Sequence, residues 1–592
     1  MTAVDERRER APGPGSADRR SLVDGATIVL GAAAVGLVAL GWSGTDETRV
    51  SDLGLISALS PWVFVGSALL VLLAVARLVL LPRLSFIDAA LLGAQVLVLH
   101  GTPAVVESAA RFPVAWLHAG FVNELIPAGQ LLTNVDARFN WPGFFTTMAV
   151  VADATGTDVV SYLRWAPLVA ELLIIALVYP LTRALGASSR TAAVAVWLYA
   201  TFDWVGQTYF APQTYGVILQ LAFLVIALRT QPRDALTGRR ARWFTPLPTI
   251  VHLEGRAWWG FLLMTGLAAA LAGTHQLSPI VLVLQLMAIV VIGRVRPREV
   301  VWVVALLAAA WLTFAAKPYW SGHLETIIGD IGNLDGVLQS AVSDRVGGGS
   351  AARQVVLMVR FAFAGALGGL ALLGLFRRWR DRRRVDGVVV ALAAVPIALV
   401  AMQSYGGEIV LRVFLNSLPF LALGAAWAFV PRRVLGRWAG AALAVVLLVG
   451  IPAHIVAHYG NERFEQVTAG DVAAVRELYD LAPAGASIVV VTPTMPWRFE
   501  NYSDFDYVVT KVDAFVDLDP VSIRAALPEN SDGTYLFVNN AQLAQLELVN
   551  GLGDGYGDQL LDLLDGVPWL TRVYSNDSAV IYRLTEPTGT EE

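Results

Sequence analysis

The chain has 592 residues, of which 56% are hydrophobic, 15% are charged and none is cysteine. An average soluble domain carries about 25% charged residues. Apolar runs of about 20 residues, the length that a bilayer core requires, recur from residue 26 to residue 457. This composition excludes a soluble multidomain enzyme, a disordered chain and a disulfide scaffold. The lack of cysteine also excludes thiolate metal sites and cysteine nucleophiles.

Thirteen membrane spans are predicted after a polar segment, residues 1–22, which we expect to be a disordered cytoplasmic tail. Together the spans make residues 23–459 an α-helical polytopic membrane domain. They are predicted at residues 26–43, 61–82, 86–102, 165–182, 191–207, 212–229, 257–274, 279–293, 299–316, 353–376, 386–402, 411–430 and 438–457.

The arginines predict the orientation of these spans. Clusters such as the one at residues 377–384 alternate with connections that are long, poor in arginine or acidic. Arginine-rich loops stay in the cytoplasm. The protein is therefore expected in a plasma membrane, with its N-terminus on the cytoplasmic side. Residues 101–164, 317–352 and 460–592 are then the long extracytoplasmic regions, and long ordered loops often carry function.

Residues 460–592 carry a net charge of −15, whereas the remainder of the chain carries +10. The basic residues are scattered through short loops and form no basic face, so no nucleic-acid partner is expected. Periodicity predicts a mixed α/β domain here. The predicted elements are helices at 468–481, 541–549 and 556–564, strands at 487–492 and 535–539, and a hairpin of 571–574 with 579–584.

The first long external loop contains the first group of candidate site residues. These are Glu107, Arg111, His118, Asp136 and Arg138. Glu107 and Arg111 have the spacing of an i,i+4 pair on one helix face, which could equally be a plain surface ion pair. His118 could be a structural histidine. Asp136 stands just before a predicted interfacial helix, residues 141–154, that begins at a proline.

A second group lies at later helix ends on the same side. His275 is at the outer end of the seventh span, and Glu408 and Arg412 have i,i+4 spacing before the twelfth. Glu408 and Arg412 could form a purely structural pair. A guanidinium beside a membrane cavity is also what a phosphate group requires.

Four stretches resemble the GT-C superfamily of integral membrane glycosyltransferases, which use polyprenyl-phosphate or polyprenyl-diphosphate sugar donors. They are Trp116-Leu117-His118-Ala119-Gly120 leading into Trp141-Pro142-Gly143-Phe144-Phe145, Tyr209 to Gln213, Gly273-Thr274-His275-Gln276-Leu277-Ser278-Pro279, and Gly407-Glu408 to Arg412. The resemblance covers about residues 86 to 460. It implies a GT-C-like membrane domain with an extracytoplasmic α/β domain.

The resemblance also implies an inverting transfer to an envelope glycan, lipid or protein. A carboxylate of the first external loop would act as general base, and basic groups would stabilise the leaving lipid phosphate. Asp136 and Glu107 rank equally as the base. Asp46-Glu47 ranks third, although many relatives place the acid directly after the first span, as this pair is placed. The implied donor-binding set is Arg111, His118, Arg138, His275, Glu408 and Arg412.

The sequence offers no clean ligand cluster for a metal, and the resemblance leaves a need for Mg²⁺ or Mn²⁺ open. A polymerase or ligase of lipid-linked glycan is an alternative within the same broad class. A transporter and a non-catalytic envelope scaffold are alternatives from other classes. No inverted repeat supports a transporter.

Overall fold

The computed structural model describes residues 14–132, 136–248, 256–321, 348–401, 408–432 and 434–585. Most of the predicted loop at residues 317–352 therefore lies outside the described residues, as do Gly407 and the first part of the predicted N-terminal tail. Two parts make up the described chain: a helical bundle up to Tyr459, and an α/β domain from residue 460.

Helices form the whole bundle and lie at each of the thirteen predicted spans. The bundle helices, with those of the connections, are α1 (Pro14–Ser43), α2 (Pro61–Leu80), α3 (Phe86–Val106), α4 (Pro113–Ala128), α5 (Gly143–Thr155), α6 (Val160–Leu163), α7 (Ala166–Ala184), α8 (Ser189–Phe202), α9 (Pro212–Thr230), α10 (Gly238–Trp243), α11 (Arg256–Ala272), α12 (Ser278–Val291), α13 (Val300–Ala310), α14 (Ala351–Arg382), α15 (Gly387–Ala394), α16 (Ile409–Phe429) and α17 (Arg437–Tyr459).

Eight helices of the described chain are long and apolar enough to cross a membrane, and four more are apolar but shorter. The remaining predicted span corresponds to α8, which has 14 residues and is buried from Thr191 to Phe202. It packs against α7, α16 and α17 at the centre of the bundle. Large apolar side chains such as Trp302 and Leu372 are exposed on the outer helices, as expected where lipid replaces water. The count of thirteen crossings stays a prediction.

The N-terminal prediction needs a correction, because α1 begins at Pro14, inside the segment expected to be disordered. Further along the helix, at Asp24, tertiary contacts hold α1 in the bundle. The Arg77 guanidinium is almost fully buried and binds the carboxylates of Asp24 at 2.6 Å and Asp88 at 2.9 Å. This ion network joins the ends of α1, α2 and α3.

The C-terminal domain is built on a five-stranded sheet with the strand order β2-β1-β3-β5-β4. Strands β1 (Ser487–Val490), β2 (Asp506–Val509) and β3 (Thr534–Asn539) are parallel, and β4 (Leu570–Ser575) and β5 (Ala579–Leu584) form the antiparallel hairpin. Its helices are α18 (Glu462–Glu465), α19 (Ala469–Leu481), α20 (Asp513–Val516), α21 (Pro520–Ala526), α22 (Asn540–Leu548) and α23 (Tyr556–Gly566).

The predicted elements of this domain are confirmed. Helix α19 begins with a capping box between Thr468 and Asp471. The sequence analysis missed β2, an edge strand of four residues that is only partly buried and whose apolar run, Tyr507 to Val509, is short. It also missed the short helices α20 and α21.

The connection between α3 and α7, residues 107–165, packs on the C-terminal domain through a shared apolar core. Trp116 and Phe145 of the connection lie in one cluster with Ile488 and Phe499 of the domain. At the closest approach, Gly120 of α4 lies against the carbonyl of Arg498, where a Cβ atom would overlap the oxygen. The connection and the C-terminal domain therefore pack together at this end of the bundle.

Candidate active site

A cavity of about 220 Å³ lies at the end of the bundle that faces the C-terminal domain. Residues from six separate parts of the chain line it: His118, Ala137, Arg138, Trp141, Tyr209, Ala211, Pro212, Gln213, Thr274, His275, Gln276, Tyr319 and Arg412. All four stretches that carry the GT-C resemblance contribute residues to this lining, the fourth of them through Arg412. The structure thus brings together side chains up to 294 positions apart in sequence, from His118 to Arg412.

Helix starts and one backbone contact position the lining residues. Pro113 and Pro212 each stand in the first turn of a helix, where proline's fixed φ angle favours helix initiation. The Gly143 N–H donates to the Gly273 carbonyl at 2.8 Å. A Cβ atom on Gly143 would stand 2.5 Å from the Thr274 hydroxyl, so glycine allows the start of α5 to touch the turn that holds His275.

Asp136 and Arg138 form a bidentate ion pair, in which Arg138 lines the cavity and Asp136 lies two residues before it in the chain, outside the lining. The Arg138 Nε and Nη2 atoms donate to the two carboxylate oxygens, each at 2.9 Å. The Arg138 guanidinium also lies over the Phe121 ring, 4.8 Å from its centroid. Tyr502 of the C-terminal domain donates a long hydrogen bond of 3.5 Å to Asp136. Burial raises the pKa of Asp136, but Arg138 more than offsets this, so the pKa lies below its ordinary value.

The two cavity histidines are both buried and are held in defined tautomers. The His118 Nδ1 atom lies 2.8 Å from the Phe210 carbonyl, which can only accept, so Nδ1 carries the proton. The backbone N–H of Ser278 donates to Nδ1 of His275 at 3.2 Å, so the proton of His275 is on Nε2. Burial lowers the pKa of His118 to about 4. Burial, helped by Arg412, lowers that of His275 to about 3. Both rings are neutral at pH 7.

Arg412 enters the cavity from the first turns of α16. Its Nη2 atom binds the Glu408 carboxylate at 3.0 Å, which confirms the predicted i,i+4 pair. The Arg412 side chain is largely buried, whereas that of Glu408 is 39% exposed. The Arg412 carbonyl accepts from Asn416 at 2.8 Å, and Asn416 accepts from Gln220 at 3.0 Å. A polar chain therefore continues from the cavity into the bundle.

The predicted Glu107–Arg111 helix pair is wrong, because α3 ends at Val106 and the chain turns before Pro113 starts the next helix. Arg111 instead binds Glu462 at 2.6 Å and Glu465 at 3.1 Å, at the start of the C-terminal domain. Glu107 is buried nearby. Burial, reinforced by the charge of Glu462, raises its pKa well above the ordinary value. Neither Glu107 nor Arg111 lines the cavity that holds His275 and Arg412.

The third carboxylate candidate lies in yet another place. Asp46 is an exposed cap of a 3₁₀ turn, and Glu47 accepts a hydrogen bond of 2.8 Å from the Ser108 N–H. Glu47 lines a wider cleft, of about 840 Å³, between the first connection and the C-terminal domain. This cleft shares no lining residue with the His275 cavity.

The residues around the His275 cavity suit an anion better than a hard cation. Mg²⁺ and Mn²⁺ prefer carboxylate, carbonyl and water oxygens. Here Arg138 and Arg412 occupy the wall, and the nearest described carboxylates, Asp136 and Glu408, are already bound to those two arginines. Two neutral imidazoles also line the cavity, together with uncharged polar side chains such as Gln213 and Thr274. Such a set matches a phosphate, for which guanidinium groups are well suited.

Sequence reasoning missed two residues of this site. Tyr319 follows α13 and packs edge-on against Trp141, with ring centroids 5.1 Å apart. Tyr502 belongs to the C-terminal domain, and its hydroxyl reaches Asp136. Aromatic residues beside prolines gave the only local signal for Tyr319, and no local signal marks Tyr502.

Solved structures with a similar architecture exist. ArnT from Cupriavidus metallidurans, crystallised bound to undecaprenyl phosphate, aligns over 85% of this chain and 99% of that one, at 14% identity and a TM-score of 0.50. Arabinofuranosyltransferase AftD from Mycobacteria aligns over 85% of this chain but only 40% of its own, at 14% identity and a TM-score of 0.46. The Archaeoglobus fulgidus oligosaccharyltransferase aligns over 88% and 74%, at 13% identity and a TM-score of 0.44.

No protein-family profile matches the chain, and no curated protein matches it by sequence. The alignment with ArnT spans almost all of that protein, and ArnT is a glycosyltransferase of the GT-C type. The chain accordingly has the GT-C fold, as a helical membrane bundle with a C-terminal α/β domain.

Proposed function

We propose that the protein is a membrane glycosyltransferase that takes a sugar from a polyprenyl-phosphate donor and transfers it to an acceptor of the cell envelope. The observation that carries this proposal is the cavity in which Arg138, Arg412 and two neutral histidines converge. It lies within a GT-C fold, and the ArnT structure with the same fold contains undecaprenyl phosphate.

The arginines would hold the donor phosphate. Arg412 is buried and Arg138 is half-buried, so their charges are screened less than at an open surface. When the bond between the sugar and the phosphate breaks, negative charge grows on the leaving phosphate. Pre-placed cations and the N–H of His275 stabilise that charge in the transition state more than in the ground state.

Asp136 is the general base in this proposal. Its lowered pKa keeps it ionised at neutral pH, so it can accept the proton of the acceptor hydroxyl. The acceptor oxygen then bonds to the anomeric carbon from the face opposite the leaving phosphate, which inverts the configuration. Arg138 would move from Asp136 toward the phosphate when the donor binds, and this exchange would free the carboxylate.

Glu107 is the weaker candidate for the base. It is buried beside Glu462, and burial together with the charge of Glu462 raises its pKa, which favours the protonated form. A protonated carboxyl group cannot accept a proton from the acceptor.

The positive-inside pattern of the arginines would place the cavity and the C-terminal domain on the extracytoplasmic side.

Binding of undecaprenyl phosphate to the purified protein tests the donor site. Undecaprenol, which lacks the phosphate group, is the control ligand. Arg412→Gln should weaken phosphate-lipid binding about 10- to 100-fold, the usual loss for a charge-assisted hydrogen bond of about 1.5–3 kcal/mol. Arg432→Gln is the matched control, because Arg432 is highly exposed and pairs with Asp381 far from the cavity lining. Equal binding of the two lipids, or equal affinity of the two variants, would contradict the proposal.

Transfer itself is tested with a panel of radiolabelled undecaprenyl-phosphate sugars and membrane-derived acceptors. The transferase hypothesis expects label to leave the lipid and appear on an acceptor. A transporter would move the ligand across a vesicle membrane with the sugar still attached. Appearance of intact labelled lipid on the opposite side, without cleavage, would favour the transporter.

A further inference from the structure

Three histidines meet inside the bundle, away from the His275 cavity. His100 lies on α3, and His454 and His458 lie one turn apart on α17. All three are buried, and one ring nitrogen of each lies within 4.8 Å of one from each of the other two. The ring centroids are between 4.8 and 5.5 Å apart.

The end of α8 orients all three rings. Nε2 of His100 lies 2.9 Å from the Ala200 carbonyl, Nδ1 of His454 lies 2.9 Å from the Thr201 carbonyl, and Nδ1 of His458 lies 3.2 Å from the Asp203 carbonyl. Carbonyl oxygens only accept, so each of these nitrogens carries the proton. Each ring is left with a lone pair on its other nitrogen. Metal-binding histidines are typically held in this way.

Two of the three remaining ring nitrogens are buried without a partner in the described protein. Nδ1 of His100 and Nε2 of His454 are buried, and they find no hydrogen-bond partner among the described residues. The same holds for both carboxylate oxygens of Glu171, which lies 3.7 Å from Nε2 of His100. Unsatisfied buried polar atoms are costly, and ionisable groups at membrane depth mark a specific partner.

A small cavity adjoins the cluster. His100 and His458 line a space of about 20 Å³ together with Arg164 and Gly206. This volume exceeds the roughly 10–15 Å³ that one water molecule needs. The cluster can therefore accommodate one extra ligand, such as a water molecule, beside the imidazoles.

We propose that His100, His454 and His458 bind a single Zn²⁺-class cation, with a water molecule as the fourth ligand. Three neutral imidazoles suit zinc and its neighbours in the first transition series rather than Mg²⁺ or Ca²⁺. Zn–N bonds of about 2.0–2.1 Å place tetrahedral ligand atoms about 3.4 Å apart. The candidate ligand atoms lie within 4.8 Å of one another, so metal binding would draw the three rings closer together. The carboxyl group of Glu171 adjoins the site, 3.7 Å from Nε2 of His100.

The ion would join α3 to α17 just before the chain enters the C-terminal domain. This role is independent of the proposed sugar transfer. The competing explanation is that the histidines only satisfy the terminal carbonyls of α8, which lack partners within the helix.

Metal analysis of the full-length protein, after removal of any histidine tag, separates these explanations. The protein is stripped with a chelator, dialysed against Zn²⁺ or Co²⁺, and measured by mass spectrometry and visible absorption. We expect one equivalent of metal per chain, and a cobalt spectrum with the intense d–d bands of a tetrahedral site. Less than about a tenth of an equivalent in the wild-type protein would overturn the proposal, whether or not any variant folds.

His458→Gln should weaken metal binding by at least 100-fold and abolish the rise in melting temperature on adding Zn²⁺. The matched control is the double variant His118→Gln/His275→Gln, which changes two buried histidines outside the cluster and should keep the full equivalent. Loss of metal from the control, with retention by His458→Gln, would show that the ion binds in the other cavity and would contradict the assignment.

Discussion

Both carboxylate oxygens of Asp136 accept hydrogen bonds of 2.9 Å from the guanidinium of Arg138, two residues further along the chain. The Asp136 side chain is only 16% exposed, and that of Arg138 is 42% exposed. Desolvation strengthens such a pair, and its bidentate geometry orients the carboxylate until the donor binds. The proposed base is thus held ionised and ready beside the cavity.

Asp136→Asn should lower sugar transfer by 10²- to 10⁴-fold, the usual contribution of a positioned general base. The amide keeps the size of the side chain but cannot accept the proton. The measurement is the rate of label transfer from a polyprenyl-phosphate sugar, with donor binding followed in parallel. Asp153→Asn, at an exposed position on α5, is the control. Full activity of Asp136→Asn would move the base to another carboxylate.

Stability should fall as the pH drops from about 6.5 toward 4. The pKa of His118 is lowered to about 4 and that of His275 to about 3 in the folded protein, whereas an unfolded histidine takes its proton near pH 6.5. Between these values only the unfolded state binds the proton, so each histidine costs up to about 1.4 kcal/mol per pH unit.

Melting curves from pH 7.5 to 4.5 check this expectation. His118→Gln/His275→Gln should flatten the decline relative to the wild-type protein. Asp136 affects stability at lower pH. Its pKa in the folded protein lies below the ordinary value of about 3.9. The stability that it contributes is therefore present above that pH and is lost only as the pH falls further. Parallel curves for the wild-type protein and the double variant would contradict the lowered histidine pKa values.

Arg111→Gln should destabilise the protein by about 3–5 kcal/mol, because it leaves Glu462 and Glu465 without their buried cation. Arg476→Gln removes a half-exposed pair with Glu500 and should cost at most about 1 kcal/mol. Thermal unfolding and protease sensitivity near residue 460 report the difference. Adding Glu462→Gln to Arg111→Gln should restore part of the loss. Equal effects of the two arginine variants would argue against a buried junction.

Gly120→Ala tests the packing between α4 and the C-terminal domain. Its new methyl group would overlap the Arg498 carbonyl, and overpacking of this kind typically costs about 1–3 kcal/mol. Gly368→Ala, inside α14, meets open space and should be neutral or stabilise the helix by up to about 1 kcal/mol. A melting temperature for Gly120→Ala at or above the wild-type value would mean that the two parts do not pack as described.

Local sequence signals predicted the positions of the long helices and most of the C-terminal sheet. Apolar runs and the alternation of apolar and polar residues depend on neighbouring residues only, so they can be recognised without knowledge of the fold. The i,i+4 pair of Glu408 and Arg412 was predictable for the same reason. The Glu107–Arg111 pair failed because one break, after Val106, removed the helix on which the spacing depended.

The sequence by itself determined that this is a helical membrane protein with an acidic α/β domain at its C-terminal end. Only the tertiary structure decided which polar groups meet. It gave Arg111 partners about 350 positions away, and it brought His100 to His454 and His458, although the i,i+4 spacing of the last two was visible in the sequence. In an apolar bundle the few polar side chains must find one another or remain unsatisfied, and their pairing depends on helix packing that no local pattern encodes.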